Sequence, residues 1–255
     1  MITAFWGTRH GQGVTSTLVH AAVALQAQGQ NVRVVDLDPD HADLALWASE
    51  KTRTDYVTLD TLAEDAEIEE RVGWPGWAPW AHRIEAFLGS ADRALPLAVT
   101  REAAERVWAT IAERDEDGST ILVDAGSGLR DYLTVRVLAE APRLVVVTKG
   151  DLPDIVATRN ALRFVEGRLG AQERVLAVVG VTPAAEEAAR EMKGFHLVPI
   201  PEIPTVRAAR SGGTLLQAGG RPGPVHQYMD TVLSTVMAGE PQQVATKGRR
   251  RLWRR

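Results

Sequence analysis

The chain has 255 residues, 45% hydrophobic and 24% charged, with 22 Gly, 13 Pro and no Cys. That content can bury a core of one large domain, and the lack of cysteine excludes a disulfide framework or a thiolate metal site. The net charge of −4 averages unlike parts, because residues 247–255 carry +6 and the other 246 residues therefore carry −10.

The first apolar run, ITAFW (2–6), leads into a glycine-rich turn, Gly7 to Gly13, and then a helix-period stripe over 14–28 formed by Val14, Leu18, Ala21, Ala22 and Leu25. The chain enters this strand directly, so no secretory signal is expected. A second run, VRVVDL (32–37), ends in Asp36-Leu37-Asp38-Pro39-Asp40. Residues 52–94 break the rhythm, and Gly73 to Trp80, with three Trp among Pro and Gly, reads as a surface loop. A strand is expected at LPLAV (95–99), a helix over 101–114, and a strand at TILVD (120–124) that ends on Asp124. Further strands fall at 143–148, 174–181 and 195–200, with a helix over 153–169 between the first two. A Gly/Pro-rich loop at 212–224 precedes a last helix at 225–238.

Short, continuous apolar runs alternating with helices predict an α/β fold of three layers. The sheet is mostly parallel, has about seven strands and carries helices on both faces. One domain is expected over about 1–238, followed by a polar to basic tail, 239–255. No apolar run reaches the ~20 residues of a membrane span.

Three features point to chemistry. Backbone N–H groups converge where a strand, a glycine-rich turn and a helix N-terminus meet, which suits phosphate. Asp36 and Asp38 stand at the carboxyl end of one expected strand, where open α/β sheets bind ligands. Asp124 ends another and is followed by small residues, an arrangement that holds Mg²⁺ beside a nucleotide phosphate. Simpler roles compete with these: helix capping and turn formation for Asp36 and Asp38, and the first position of an apolar helix stripe for Val14. His10, in the loop, reads either as a phosphate contact or, more simply, as a solvated residue. His20, His41, His82, His196 and His226 show no metal-ligand spacing.

In motif order and spacing, nearly the whole body resembles the MinD/ParA group of deviant P-loop ATPases. Where that group reads Lys-Gly-Gly-x-Gly-Lys-Thr-Thr, this chain has Arg9-His10-Gly11-Gln12-Gly13-Val14-Thr15-Ser16. The group's Asp-x-Asp-Pro matches Asp36 to Pro39, and ILVDAGSGL (121–129) is similar to its Asp-x-Pro-x-Gly segment. LVVVTKGDLPDIVATRNAL (144–162) and VPIPEIPTVRAARSG (198–212) resemble later blocks. DHADLALW (40–47) is similar to the stretch after the second-strand motif in the CpaE/TadZ branch, which positions pilus and secretion machinery.

The resemblance implies a P-loop NTPase-like fold and a site for ATP and Mg²⁺. Arg9, Gly11, Gln12, Gly13, Val14, Thr15, Ser16, Asp36 and Asp124 would line it. Thr15 would meet the metal directly and Asp124 through water, while Asp38 would orient the attacking water. It also implies a homodimer, a protein partner and a cytoplasmic location, peripheral at the inner membrane face. The departures shape the expectation. Val14 replaces the phosphate-binding lysine, Arg9 replaces the lysine that reaches across the dimer, and Gly180, Val181 and Thr182 stand where the group often has an adenine-reading Asn.

The expected function is a positioning or scaffold protein with weak ATP binding and little or no hydrolysis. Two alternatives stay open: an active switch in which Arg9 is catalytic, and an interaction module that binds no nucleotide. Arg249, Arg250, Arg251, Leu252, Trp253, Arg254 and Arg255 form a basic tip with an embedded aromatic, expected to meet an anionic membrane surface, ahead of a purely solubilising tail and then of DNA.

Overall fold

The computed structural model describes residues 1–38, 40–41, 43–46, 78–81, 84–87, 89, 99–113, 118–129, 131–169, 173–180 and 182–200. These form β1 (Ile2–Gly7), α1 (Val14–Ala27), β2 (Val32–Asp36), a short 3₁₀ turn (Asp43–Leu46), β3 (Ala78–Ala81), β4 (Ile84–Phe87), α2 (Arg101–Glu113), β5 (Thr120–Ser127), α3 (Tyr132–Glu140), β6 (Arg143–Lys149), α4 (Leu152–Val165), β7 (Glu173–Val179), α5 (Pro183–Arg190) and β8 (His196–Ile200).

The strands make one sheet in the order β3-β4-β2-β5-β1-β6-β7-β8. The seven from β4 to β8 in that order are parallel, and β3 adds an antiparallel edge. Successive residues of a strand face opposite sides. In β1, Ala4 and Trp6 join a core with α2, α3, α4 and α5, while Phe5 joins a core with α1 on the other face. The three layers expected from the sequence are therefore present.

Three strand expectations need correction. Part of the Trp-rich segment read as a loop is strand β3, and β4 follows in a stretch read as irregular. Pro79 fits there because an edge strand needs no N–H on its open side. Residues 91–98 lie outside the described set, but Val99 is not in a strand; it packs on the core as the chain approaches α2. Asp124 does not end its strand either: β5 continues to Ser127, which pairs with Gly7 across an irregularity between Phe5 and Gly7. The Trp74 and Trp77 positions, the loop at 212–224, the helix at 225–238 and the tail lie outside the described residues.

Helix starts differ in a way that matters for function. Thr100, Asp131, Asp151 and Thr182 accept hydrogen bonds from the first-turn N–H groups of Ala103, Thr134, Asp154 and Ala185, capping α2 to α5. At α1 the N-cap is Gly13, with φ +93° and no side-chain cap. The first N–H groups of α1 therefore remain available to another acceptor.

Trp6 fixes the opposite wall of that region. Its ring is fully buried, its indole N–H donates to the Gly128 carbonyl at 2.6 Å, and the Gly128 N–H donates to the Gly7 carbonyl at 2.9 Å. Trp6→Phe leaves the part-buried Gly128 carbonyl short of its donor and opens a small cavity. It should lower stability by about 2 kcal/mol, read from the urea midpoint at unchanged m.

Candidate functional site

The cleft lies at the carboxyl end of β1, β2 and β5. It has a volume of about 70 Å³ and is lined by the loop before α1, the α1 N-terminus, Asp38, Asp43, Asp124, Gly126 and Ser127. Gly11 and Gly13 stand at φ +77° and +93° with nothing within 4 Å of where a Cβ would lie, so the loop backbone is open to a ligand.

Gln12 shapes the loop from beneath. Its side chain is buried, and Oε1 accepts from the N–H of Thr8 at 2.9 Å and of Arg9 at 3.1 Å. Its Nε2 donates to the Thr148 hydroxyl at 3.4 Å; Thr158 donates to the same hydroxyl at 3.0 Å and lies 3.2 Å from Thr8 Oγ1. This buried network turns two N–H groups inward. Val14 is also turned inward: it is 8% exposed and packs with Leu18 and the sheet, and its Cγ2 lies 2.8 Å from where a Gly7 Cβ would be. Val14 thus begins the apolar stripe of α1, and Thr15 and Ser16 remain half-buried at the cleft.

Asp36 and Asp124 are register partners on adjacent strands, so their carboxyl groups share one face of the sheet. Asp36 is fully buried and ties down the following loop, accepting from Asp38 N at 3.1 Å and Leu44 N at 3.2 Å. Asp38 Oδ1 accepts from the N–H groups of Asp40 at 2.9 Å and His41 at 3.0 Å. The turn-forming role weighed for both residues is thus realised in their hydrogen bonds. A Cβ on Gly126, where φ is +64°, would lie 2.5 Å from the Asp38 carboxyl carbon, so this close approach requires glycine.

Asp124 Oδ1 accepts from Gly126 N at 2.9 Å, while Oδ2 is buried with no hydrogen bond of ordinary geometry. Burial pushes the Asp124 carboxyl up to about 7; the Thr15 hydroxyl pulls against this and the Asp38 charge adds to it. Burial, then the charges of Asp124 and Asp38, push Asp36 well above the usual carboxylate range. Burial also raises Asp38, against the backbone donors of Asp40 and His41.

Sequence reasoning brought together the loop, Asp36, Asp38 and Asp124, and they do meet. Arg9 instead reaches outward, 60% exposed, with its guanidinium 3.4 Å from Asp154 on α4. Gly180 and Thr182 lie beyond β7, where the Thr182 hydroxyl donates to the Gly150 carbonyl; Val181 is outside the described residues. Sequence reasoning missed three features: the buried role of Gln12, Asp43 on the cleft wall, and the stacking of His10 on His41, with ring centroids 3.8 Å apart. Contacts between segments far apart in sequence left no local signal. Among the described residues no cluster of His, Cys, Asp or Glu has metal-binding geometry, and no helix is long and apolar enough to cross a membrane.

The residues present fit a magnesium-bound phosphate in two respects, the uncapped α1 N-terminus and the unpartnered Asp124 Oδ2 near Thr15. They lack a lysine at position 14. A strand, an open glycine turn, an uncapped helix and strand-borne carboxylates together define a P-loop-type α/β protein.

No family model matches the chain. It is 25% identical to an uncharacterised ATP-binding protein of Methanocaldococcus jannaschii, over 94% of this chain and 89% of that one. Its fold is similar to the septum site-determining protein MinD of Pyrococcus horikoshii in complex with Mg-ADP, with TM-score 0.70, 20% identity, and 94% and 98% of the two chains covered. It is likewise similar to a ParA family ATPase of Chlorobium tepidum, with TM-score 0.69, 16% identity, and 91% and 98% covered. The chain has the fold of the MinD and ParA ATPases, and the resemblance to that group carried by its motifs holds.

The raised carboxyl pKa values fix a direction for pH dependence. Each group holds its proton more tightly folded than unfolded, so stability falls as pH rises from the ordinary carboxylate range to about 7. Asp124→Asn removes one such group. Its urea midpoint should exceed that of the parent chain at pH 7.5 and match it near pH 4.5; an equal difference at both would contradict this assignment.

Proposed function

We propose that this chain is a MinD/ParA-like positioning or scaffold protein that binds ATP with Mg²⁺ weakly and hydrolyses it little or not at all. One observation carries the reading: the uncapped α1 N-terminus opens on a cleft that holds Thr15 and Asp124 but no lysine. In this reading the loop N–H groups and the helix dipole hold phosphate oxygens, Thr15 and Asp124 hold the metal, and Asp38 faces the reacting water. When bound, Mg²⁺ neutralises charge on the phosphates. With valine at position 14, no side-chain cation is fixed at the phosphates, and transition-state charge goes largely unanswered.

In the same reading the protein dimerises and recruits a protein partner, with pilus or secretion machinery as its setting. The basic segment 249–255 meets an anionic membrane face, where Trp253 and Leu252 add apolar contact. Doubling the tail by dimerisation strengthens that contact without any new surface. The alternative of an Arg9-driven switch is weakened by the position of Arg9 beside Asp154. A nucleotide-free module is weakened by the open space at Gly11 and Gly13.

Calorimetric titration with ATP and Mg²⁺, run beside size exclusion, tests the core of this reading. Weak saturable binding and turnover near background are expected. Val14→Lys should tighten binding by about 10- to 100-fold, since hydrogen bonds to charged groups contribute about 1.5–3 kcal/mol. Ordinary turnover in the parent chain, abolished by Asp38→Ala, would sink the pseudo-ATPase reading. Sedimentation with anionic vesicles should retain the full chain and release one ending at residue 246.

A further inference from the structure

A second cavity lies at the far end of the sheet from the cleft. The cleft stands at the carboxyl ends of the strands. This cavity, of about 270 Å³, lies where β7 begins, between the end of α4 and the turn from α5 into β8. Its floor is apolar. Leu162, Leu169 and Met192 are buried members of the core, and Phe195 is half-buried against it. An apolar cavity of about 150 Å³ is enough for benzene, so the space here accepts a larger apolar group.

The rim is charged, and unevenly. Arg159, Arg163, Arg174 and Lys193 stand against two carboxylates, Glu166 and Glu191. That is an excess of two positive charges on a body that carries −10 over residues 1–246. Arg159 is poorly matched by its partner. Its Nη1 lies 3.7 Å from Glu191 Oε2, too far for a hydrogen bond, and its Nε is buried with no acceptor. Arg163 and Lys193 are exposed and form no ion pair among the described residues. Arg163 also complements the negative end of α4, but that role involves none of the other three cations and leaves the cavity unexplained.

We infer that this cavity binds a small amphiphilic anion, a carboxylate or phosphate that carries a medium-length apolar group. The apolar group lies on Leu162, Leu169, Met192 and Phe195, and the head stands among Arg159, Arg163 and Lys193. An apolar floor with a few placed polar groups is the usual make-up of a small-molecule site, and guanidinium groups suit carboxylate or phosphate oxygens. The cavity is bordered by three elements rather than running along one. Its two carboxylates leave room for one anionic head, which disfavours an acidic protein segment. The basic tail of this chain has the same sign as the rim and is disfavoured too. No lining residue is shared with the cleft, so the inference stands apart from the nucleotide reading.

Titration of the full chain with octanoate, followed by NMR of isotopically labelled methionine methyls, tests this directly. Met192 is one of four methionines, and Met192→Leu assigns its signal. The Met192 methyl should shift to a saturating value. Octanol has the same chain without the charge, and acetate has the charge without the chain; each should bind roughly tenfold more weakly or less. Arg163→Glu and Lys193→Glu change exposed positions, so the other methyl signals should stay in place and report an intact fold. Each variant should weaken octanoate roughly tenfold. A Met192 methyl that does not respond, octanol binding as tightly as octanoate, or both variants binding like the parent chain would each overturn the proposal. A signal moved by polyglutamate but not by octanoate would assign the cavity to an acidic protein segment and overturn it as well.

Discussion

The shape of the site depends on one buried carboxamide. Gln12 Oε1 takes the N–H groups of Thr8 and Arg9, and Nε2 reaches Thr148 inside the sheet layer. A loop rich in glycine has many conformations available and loses much entropy on being fixed. The Gln12 contacts select one conformation and leave the α1 N-terminus facing outward. Val14 then packs down on Gly7, and Trp6 draws Gly128 up beside the loop. Removing this anchor would loosen both walls of the cleft.

Electrostatics makes the other half of the site. Asp36 and Asp124 lie side by side on β2 and β5, where burial and then neighbouring carboxylates raise both, and burial raises Asp38 where it leans on Gly126. Such crowding works against stability at neutral pH unless positive charge arrives. A site that disfavours its own empty, ionised form gains from binding a cation, because the ligand relieves repulsion already present. Backbone donors at Asp38, Leu44, Asp40, His41 and Gly126 keep the carboxylates oriented in the meantime.

Much of this was legible in the sequence. Continuous apolar runs gave the parallel strands because a strand buried on both faces needs no alternation, and the order of the glycine turn and the carboxylates placed the cleft. What failed to show depended on pairing rather than pattern. Strand β3 has four residues and includes a proline, so it forms only because β4 offers it an edge. The extension of β5 past Asp124 follows from its pairing with β1. Gln12 reads in the sequence as one of the residues lining the nucleotide site, and nothing local marks it as a glutamine whose partner Thr148 lies 136 residues away. The His10–His41 contact joins two loops that only the fold brings together.

The edge strand has a consequence for assembly. A sheet margin with free N–H and C=O groups is a template for another strand, from a second copy or an unfolded neighbour. Here the margin beyond β4 is held by a four-residue antiparallel strand carrying Pro79, which has no N–H to offer. Growth of the sheet by strand addition is therefore blunted on this side.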